Sequence, residues 1–265
     1  MSKIKGFKWE SKDRIVCWVS CGAPSAVAGK MAQEKYRDTH KVVFCYQDTG
    51  SEHPDNKRFI KDLENWYKQE IIQLKSNKYA NIHEVFRARK YISGVAGAPC
   101  TGELKRKPAE NFLIWGSDVE IFGYTEDEVH RVQNFRNNNP ERKIETILID
   151  KMMTKEDCKA ILQQKGIELP AMYKLGYHNN NCIGCVKGQS GYWNKIREDF
   201  PEVFQKTAKL EREIGAAINK RYEGDTRIRV FLDELDPEAG NYKREVSPQC
   251  GILCYMESEK LENTL

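Results

Sequence analysis

No stretch of the 265-residue sequence approaches the ~20 apolar residues that cross a bilayer, and neither an internal repeat nor a low-complexity tract is present. A membrane-spanning helix, a solenoid and a largely disordered chain are excluded on those grounds. The opening MSKIKGFKWESKD is charged and has no apolar core of the secretory kind, so a cytoplasmic protein without a membrane partner is expected. A strong charge of either sign is also missing. The 43 Lys and Arg against 39 Asp and Glu leave a net charge of +4, which suits an anionic small ligand such as a nucleotide and gives no support for a nucleic-acid groove. Neither the Gly-Lys-[Ser/Thr] ending of a Walker loop nor the dinucleotide fingerprint occurs.

The hydrophobic content of 40% and charged content of 31% are those of a globular protein. Strand-like runs at 14–20, 41–46, 70–74, 118–124 and 144–149 alternate with helix-like segments, the pattern of a doubly wound, mostly parallel α/β sheet of Rossmann-like type. Helical spacing puts Val27, Met31 and Tyr36 on one core face and Phe59, Leu63 and Trp66, after Pro54, on another. Thr154 with Asp157 resembles a capping box, and Gly166 supplies a stop, so a helix is expected over 154–165. Beyond Pro170 the chain turns polar and Asn-rich around HNNNCIGC. A helix is expected from about Pro201 to Arg221, with Val203, Leu210, Ile214 and Ile218 on one side, and a strand at 228–232. The resulting expectation is a nucleotide-binding α/β domain over 1–175 and a Cys-rich helical and loop extension over 176–265.

The segment VSCGAPSAVAGK reads as a buried strand running into a small-residue turn and straight into a helix, with Pro24 suited to the first helical position. Amide groups at such a turn, aided by the helix dipole, attract an anion. Ser20, Cys21, Gly22, Ala23 and Ser25 are therefore candidate phosphate-binding positions; an ordinary strand-to-helix turn is the plain alternative. Ligands of open parallel sheets bind beyond the carboxyl ends of the strands. By position this adds Gln47, Asp48, Thr49 and Gly50 after the second strand, and Gly123 at the end of a later one. Glu128 and Arg131 follow on the next helix, while Lys105 and Arg106 could neutralise phosphate or sulfate or simply form a solvated basic run.

Nine cysteines in a reducing compartment are expected as thiols or metal ligands. Two pairs stand out, Cys182-x-x-Cys185 and Cys250-x-x-x-Cys254, with Cys100 isolated in the loop GAPCTGELKRKP. Closely spaced thiolates suit zinc or an iron–sulfur cluster, although residues 186–249 intervene and the fold would have to assemble the site. Redox-active or simple thiols are the alternative. Cys17, Cys45 and Cys158 read as buried small hydrophobes. His178, beside the Cys-x-x-Cys loop, is a candidate ligand or proton donor, though such a loop histidine can equally be neither.

Taken together, these segments resemble the phosphoadenosine phosphosulfate (PAPS) reductase family, within the adenine nucleotide alpha-hydrolase-like group of N-type ATP pyrophosphatases. The resemblance rests on Ser20-Cys21-Gly22-Ala23-Pro24-Ser25 in place of the family's Ser-Gly-Gly-x-x-Ser, on Asp48-Thr49-Gly50 and on Cys100-Thr101 with Leu104-Lys105. Gly123 with Glu128 and Arg131, and the Cys-containing run over 154–185, complete it. Gln249-Cys250-Gly251-Ile252-Leu253 is similar to the family's Glu-Cys-Gly-[Ile/Leu]-His segment. Three departures stand out: Pro99 replaces one cysteine of a pair, Leu253 a histidine, and Pro24 the Asp of the ATP-cleaving loop.

The resemblance implies an adenine nucleotide ligand (PAPS, APS or ATP), Cys250 as nucleophile and a thioredoxin-like reductant. It also implies a [4Fe-4S] cluster or zinc on Cys100, Cys182, Cys185 and Cys254, or with Cys250 in place of Cys254. Two other readings keep the fold. One is an ATP-dependent sulfurtransferase or nucleotide-modifying enzyme, the only one of the readings with a nucleic-acid partner; the other is a non-catalytic nucleotide-binding module with structural zinc. A homodimer is compatible with all of them.

Overall fold

A computed structural model describes residues 14–94, 97–246 and Pro248. The sheet begins with β1 (Arg14–Trp18), β2 (Lys41–Asp48) and β3 (Ile71–Lys75), and continues with β4 (Val119–Ile121) and β5 (Lys143–Glu145). Its strand order is β3-β2-β1-β4-β5. β1 runs parallel to both β2 and β4, with Ile15 opposite Val42 and Val119, and β4 runs parallel to β5. The consecutive apolar residues of β1 are buried on both faces, as a strand covered by helices on each side requires. The order reverses direction between β1 and β4, which is where an open α/β sheet offers a ligand crevice. The α/β architecture expected from the alternation of runs is the one found.

The helices in chain order are α1 (Ala23–Tyr36), α2 (Asn56–Tyr67), α3 (Ile82–Arg89) and α4 (Pro99–Thr101). After a π-helical turn at Gly102–Arg106 come α5 (Lys107–Phe112), α6 (Val129–Asn138), α7 (Ile147–Asp150) and α8 (Lys155–Gln164). The last are α9 (Ala171–Lys174), α10 (Ser190–Asp199) and α11 (Pro201–Ile214). Among the described residues, no helix is long and apolar enough to cross a membrane.

Residues 14–46, 55–73 and 112–170 form one unit, and residues 47–54, 74–111 and 171 onward the other. The core of the first gathers Ile15, Phe44, Phe59, Leu63, Ile121 and Leu162 around the sheet, with Val27 and Tyr36 buried in it and Met31 and Trp66 packed against it. The second has its own core, built on Phe86, Leu104, Trp193, Ile196 and Leu210 and enclosing Cys182 and Cys185.

Helix α8 forms where the capping box placed it: Thr154 Oγ1 accepts from the Asp157 N–H at 3.0 Å while the Asp157 carboxylate accepts from the Thr154 N–H at 2.8 Å. Three elements differ from the sequence reading. The fifth strand stops at Glu145, because Thr146 opens a helical turn instead, its carbonyl accepting the Asp150 N–H at 2.9 Å. Helix α11 stops at Ile214, because Gly215 takes the left-handed φ of +76° that ends a helix. The chain beyond it forms an antiparallel ribbon of β6 (Asn219–Glu223) and β7 (Thr226–Val230), turned at Gly224 with φ +59°. Ile218 therefore lies outside the helical face to which its spacing assigned it. Finally, Cys100 sits on the helical segment α4 and not in a loop.

Candidate functional site

The turn after β1 is held by one side chain. Ser25 Oγ accepts the Ser20 N–H at 3.0 Å, donates to the Gly22 carbonyl at 2.9 Å and lies 3.1 Å from Ser20 Oγ. Cys21 takes a left-handed φ of +57° and is buried, Gly22 is the N-cap of α1, and Pro24 occupies the first turn, where its missing N–H costs nothing. Of the candidate phosphate positions only Ser20 is exposed; Gly22 is half-buried, and Cys21, Ala23 and Ser25 are buried.

Gly123 follows β4 on the other side of the switch point, and its backbone lies against this turn. A Cβ there would fall 2.4 Å from Ser25 N and 2.6 Å from Ser25 Cα, so only glycine permits the approach. Glu128 and Arg131 are occupied locally. Thr125 and Glu128 form a capping box, Glu128 pairs with Arg131, and the Arg131 guanidinium lies over the Tyr124 ring at 5.1 Å. Lys155, also in this unit, has its pKa lowered, first by burial, with Glu128 acting in the opposite direction.

In the second unit, two turns separated by more than 130 residues are tied together. After β2, Asp48 Oδ1 accepts the Gly50 N–H at 2.8 Å, closing an Asx turn, and its other oxygen pairs with Lys75 Nζ at 2.8 Å. Gly50 has φ +63°, and a Cβ there would lie 1.9 Å from the Ala80 carbonyl oxygen. The Thr49 N–H donates to Glu52 Oε2 at 3.1 Å. The Ser51 carbonyl then accepts the Ile183 N–H at 2.8 Å, and Thr49 Oγ1 lies 3.1 Å from Cys182 Sγ.

The Cys182–Cys185 turn has its own clamp. Tyr192 OH accepts the Cys185 N–H at 2.9 Å and donates to the Cys182 carbonyl at 3.3 Å. Burial pushes the Tyr192 phenol well above its ordinary pKa, which keeps the proton that this double role needs. Gly184, at φ +74°, makes the turn against Trp193. Immediately before it, Asn181 Nδ2 donates to the Pro248 carbonyl at 2.6 Å, and Asn179 Nδ2 reaches the same oxygen at 3.5 Å.

The remaining expected residues fall as follows. Cys100 is half-buried and packs against the core that contains Cys182 and Cys185. Arg106 is buried and pairs with Glu110 at 3.6 Å, while Lys105 is half-buried on the same π-helical turn. His178 is held by Tyr242, whose hydroxyl accepts the His178 N–H at 2.8 Å and whose ring stacks on the imidazole at 4.7 Å. Cys250 and Cys254 lie outside the described residues.

Among the described residues no three His, Cys, Asp or Glu side chains stand close enough together to hold a metal ion. Cys182 and Cys185 share a turn of the kind thiolate sites use, but the described members of the expected ligand set do not complete a zinc or iron–sulfur site, and no chemical step is derived through one. Cys17, Cys45 and Cys158 are buried, and burial raises their thiol pKa values, to about 12 for Cys45 and Cys158, so they are poor nucleophiles. Sequence reasoning did not find Tyr192, Asn181 or Glu52. Asn181 lay within a segment singled out only as polar, and a tyrosine ten residues after a cysteine carries no local signal.

No family model and no curated protein sequence matches the chain. Among solved structures, it is similar to PAPS reductase from Candida auris in a phosphate complex. Identity is 13% over 63% of this chain and 80% of that one, with a TM-score of 0.47. It is also similar to the U34-tRNA thiolase NcsA from Methanococcus maripaludis with its [4Fe-4S] cluster. Identity there is 14% over 77% of this chain and 73% of that one, with a TM-score of 0.45.

Proposed function

We propose that this protein is a sulfonucleotide reductase that binds an adenine nucleotide through the turn at Ser20–Ser25 and reduces it with the thiolate of Cys250. The observation that carries the reading is the bond from Asn181 to the Pro248 carbonyl. Cys250 is two residues beyond Pro248, a distance the chain can span in no more than about 7 Å. The loop that bears Cys182 and Cys185 is thereby bonded to the chain two residues short of the nucleophile of this reading. That loop is bonded in turn to the Asp48-Thr49-Gly50 turn.

In the first step the Cys250 thiolate attacks the sulfur of the sulfate group. An S–S bond forms, the S–O bond to the phosphate breaks, and the nucleoside phosphate leaves with the electron pair. In the second step a thiol of a dithiol reductant attacks the Cys250 sulfur and sulfite departs. The reductant's second thiolate then closes its disulfide and frees the Cys250 thiolate. Pro24, standing where an ATP-cleaving loop carries Asp, leaves this turn without the carboxylate that would help organise magnesium triphosphate. That favours a ligand lacking a triphosphate.

The test is sulfite release from PAPS and from APS with a dithiol reductant, for the wild type and for Cys250→Ser. Sulfite from the wild type and none from the variant supports the reading. Full turnover by Cys250→Ser overturns it, as does pyrophosphate release from magnesium ATP without sulfite release, the outcome expected of a sulfurtransferase.

A further inference from the structure

The second unit contains a cleft of about 680 Å³, within the range of ordinary ligand sites, and among the described residues none of the proposed reaction lines it. Its charged lining is one-sided. Among the described residues, Lys187, Lys220, Arg227 and Arg229 face it against the single carboxylate of Glu245. That carboxylate is already engaged, accepting the Gly191 N–H at 2.6 Å and the Tyr192 N–H at 2.9 Å, so it caps α10 and does not balance the cations by direct pairing.

Three of the cations come from the β6–β7 ribbon, and its register explains why they share a face. Lys220 lies directly opposite Arg229, and Tyr222 directly opposite Arg227. Side chains two apart on a strand point the same way, so Lys220, Tyr222, Arg227 and Arg229 form one surface. Placing Lys220 across from Arg229 sets like charges opposite each other, an arrangement that costs stability in an isolated ribbon. Among the described residues neither Lys220 nor Arg227 has an acidic partner, and Tyr222 is 60% exposed with Lys220 Nζ 5.7 Å from its ring. A ligand with repeated negative charge would relieve the repulsion, and the exposed ring offers a flat surface for a base. Arg227 and Arg229 are about 7 Å apart along their strand, a spacing that lets them meet successive phosphates.

We propose that this cleft binds a single-stranded nucleic acid, with Lys220, Arg227 and Arg229 on its phosphates and Tyr222 stacked on a base. The inference is independent of the reductase reading, since it uses none of the cysteines.

Fluorescence anisotropy of a short fluorescein-labelled single-stranded oligonucleotide tests it, with thermal melts confirming that each variant is folded. Wild-type binding that weakens with salt is expected. Lys220→Glu combined with Arg227→Glu should weaken it at least about tenfold. Tyr222→Ala should weaken it about fivefold or more, while Tyr222→Phe should match the wild type, because stacking needs the ring and not the hydroxyl. Arg37→Glu, an exposed change in the other unit, should have no effect. The proposal fails if the folded wild type does not bind the strand, or if Arg37→Glu weakens binding as much as the ribbon variants. It fails equally if Tyr222→Ala binds like the wild type while inorganic polyphosphate displaces the strand at matched phosphate concentration.

Discussion

Asn181 Nδ2 sits 2.6 Å from the Pro248 carbonyl, so the residue before Cys182 holds the chain two residues short of Cys250. A single amide thus links a loop in the middle of the sequence to the segment that carries the nucleophile of the proposed reaction. Asn181→Asp keeps the shape but removes the donor. A net hydrogen bond of about 1 kcal/mol, if it acts on the placement of the nucleophile, lowers kcat for sulfite release roughly five- to tenfold with KM unchanged. Steady-state kinetics at several nucleotide concentrations checks the split between the two constants.

Tyr192→Phe removes the acceptor for the Cys185 N–H and the donor for the Cys182 carbonyl together. Both groups are buried and would lose their partner, at a cost of about 1–3 kcal/mol. The expected outcome is a lower melting temperature together with faster alkylation of Cys182 and Cys185, read by peptide mass spectrometry after a timed iodoacetamide pulse.

Gly50→Ala should be among the most damaging single changes in the second unit. Its left-handed backbone alone costs a non-glycine residue about 1–2 kcal/mol, and the added Cβ meets the Ala80 carbonyl oxygen at 1.9 Å, backbone that cannot rotate aside. A melting temperature within a degree of the wild type would contradict the geometry of this turn.

Much of this was readable from residue pattern, and the misses have physical causes. The five strands and the capped helix α8 announce themselves through apolar runs and through Thr154 with Asp157, signals that lie within a few residues of one another. Gly215 ends α11 six residues before the apolar periodicity implied, because backbone entropy and the left-handed stop override a continuing stripe. The joining of Ser51 to Ile183 was not readable. Each is an unremarkable residue in a turn, and their meeting depends on how the second core packs. Glu128 and Arg131 carried the right charges for a ligand mouth, yet at a spacing of three on a helical start they pair with each other.

Glu211 gives the protein a pH response of unusual sign. Its buried carboxylate accepts the Ile218 and Leu232 N–H groups, each at 2.5 Å, and so grips the chain on both sides of the β6–β7 ribbon. Burial raises its pKa to about 7; the two N–H donors and Arg212 act in the opposite direction, and Asp233 adds to the rise. The folded state therefore holds this proton more tightly than the unfolded chain. The stabilisation is complete below the ordinary glutamate range and is lost as pH rises through 7, an effect on the order of 3 kcal/mol. Between pH 5 and pH 8 the melting temperature of Glu211→Gln should fall less, or rise more, than that of the wild type.

The most direct test of the proposed chemistry is to trap its intermediate. Wild-type protein incubated with PAPS or APS, without reductant, is digested and its peptides weighed. One added sulfonate on the peptide containing Cys250, lost on adding a dithiol as sulfite appears, is the predicted result. A sulfonate carried on another cysteine, or turnover to sulfite with the Cys250 peptide unmodified throughout, would contradict the account.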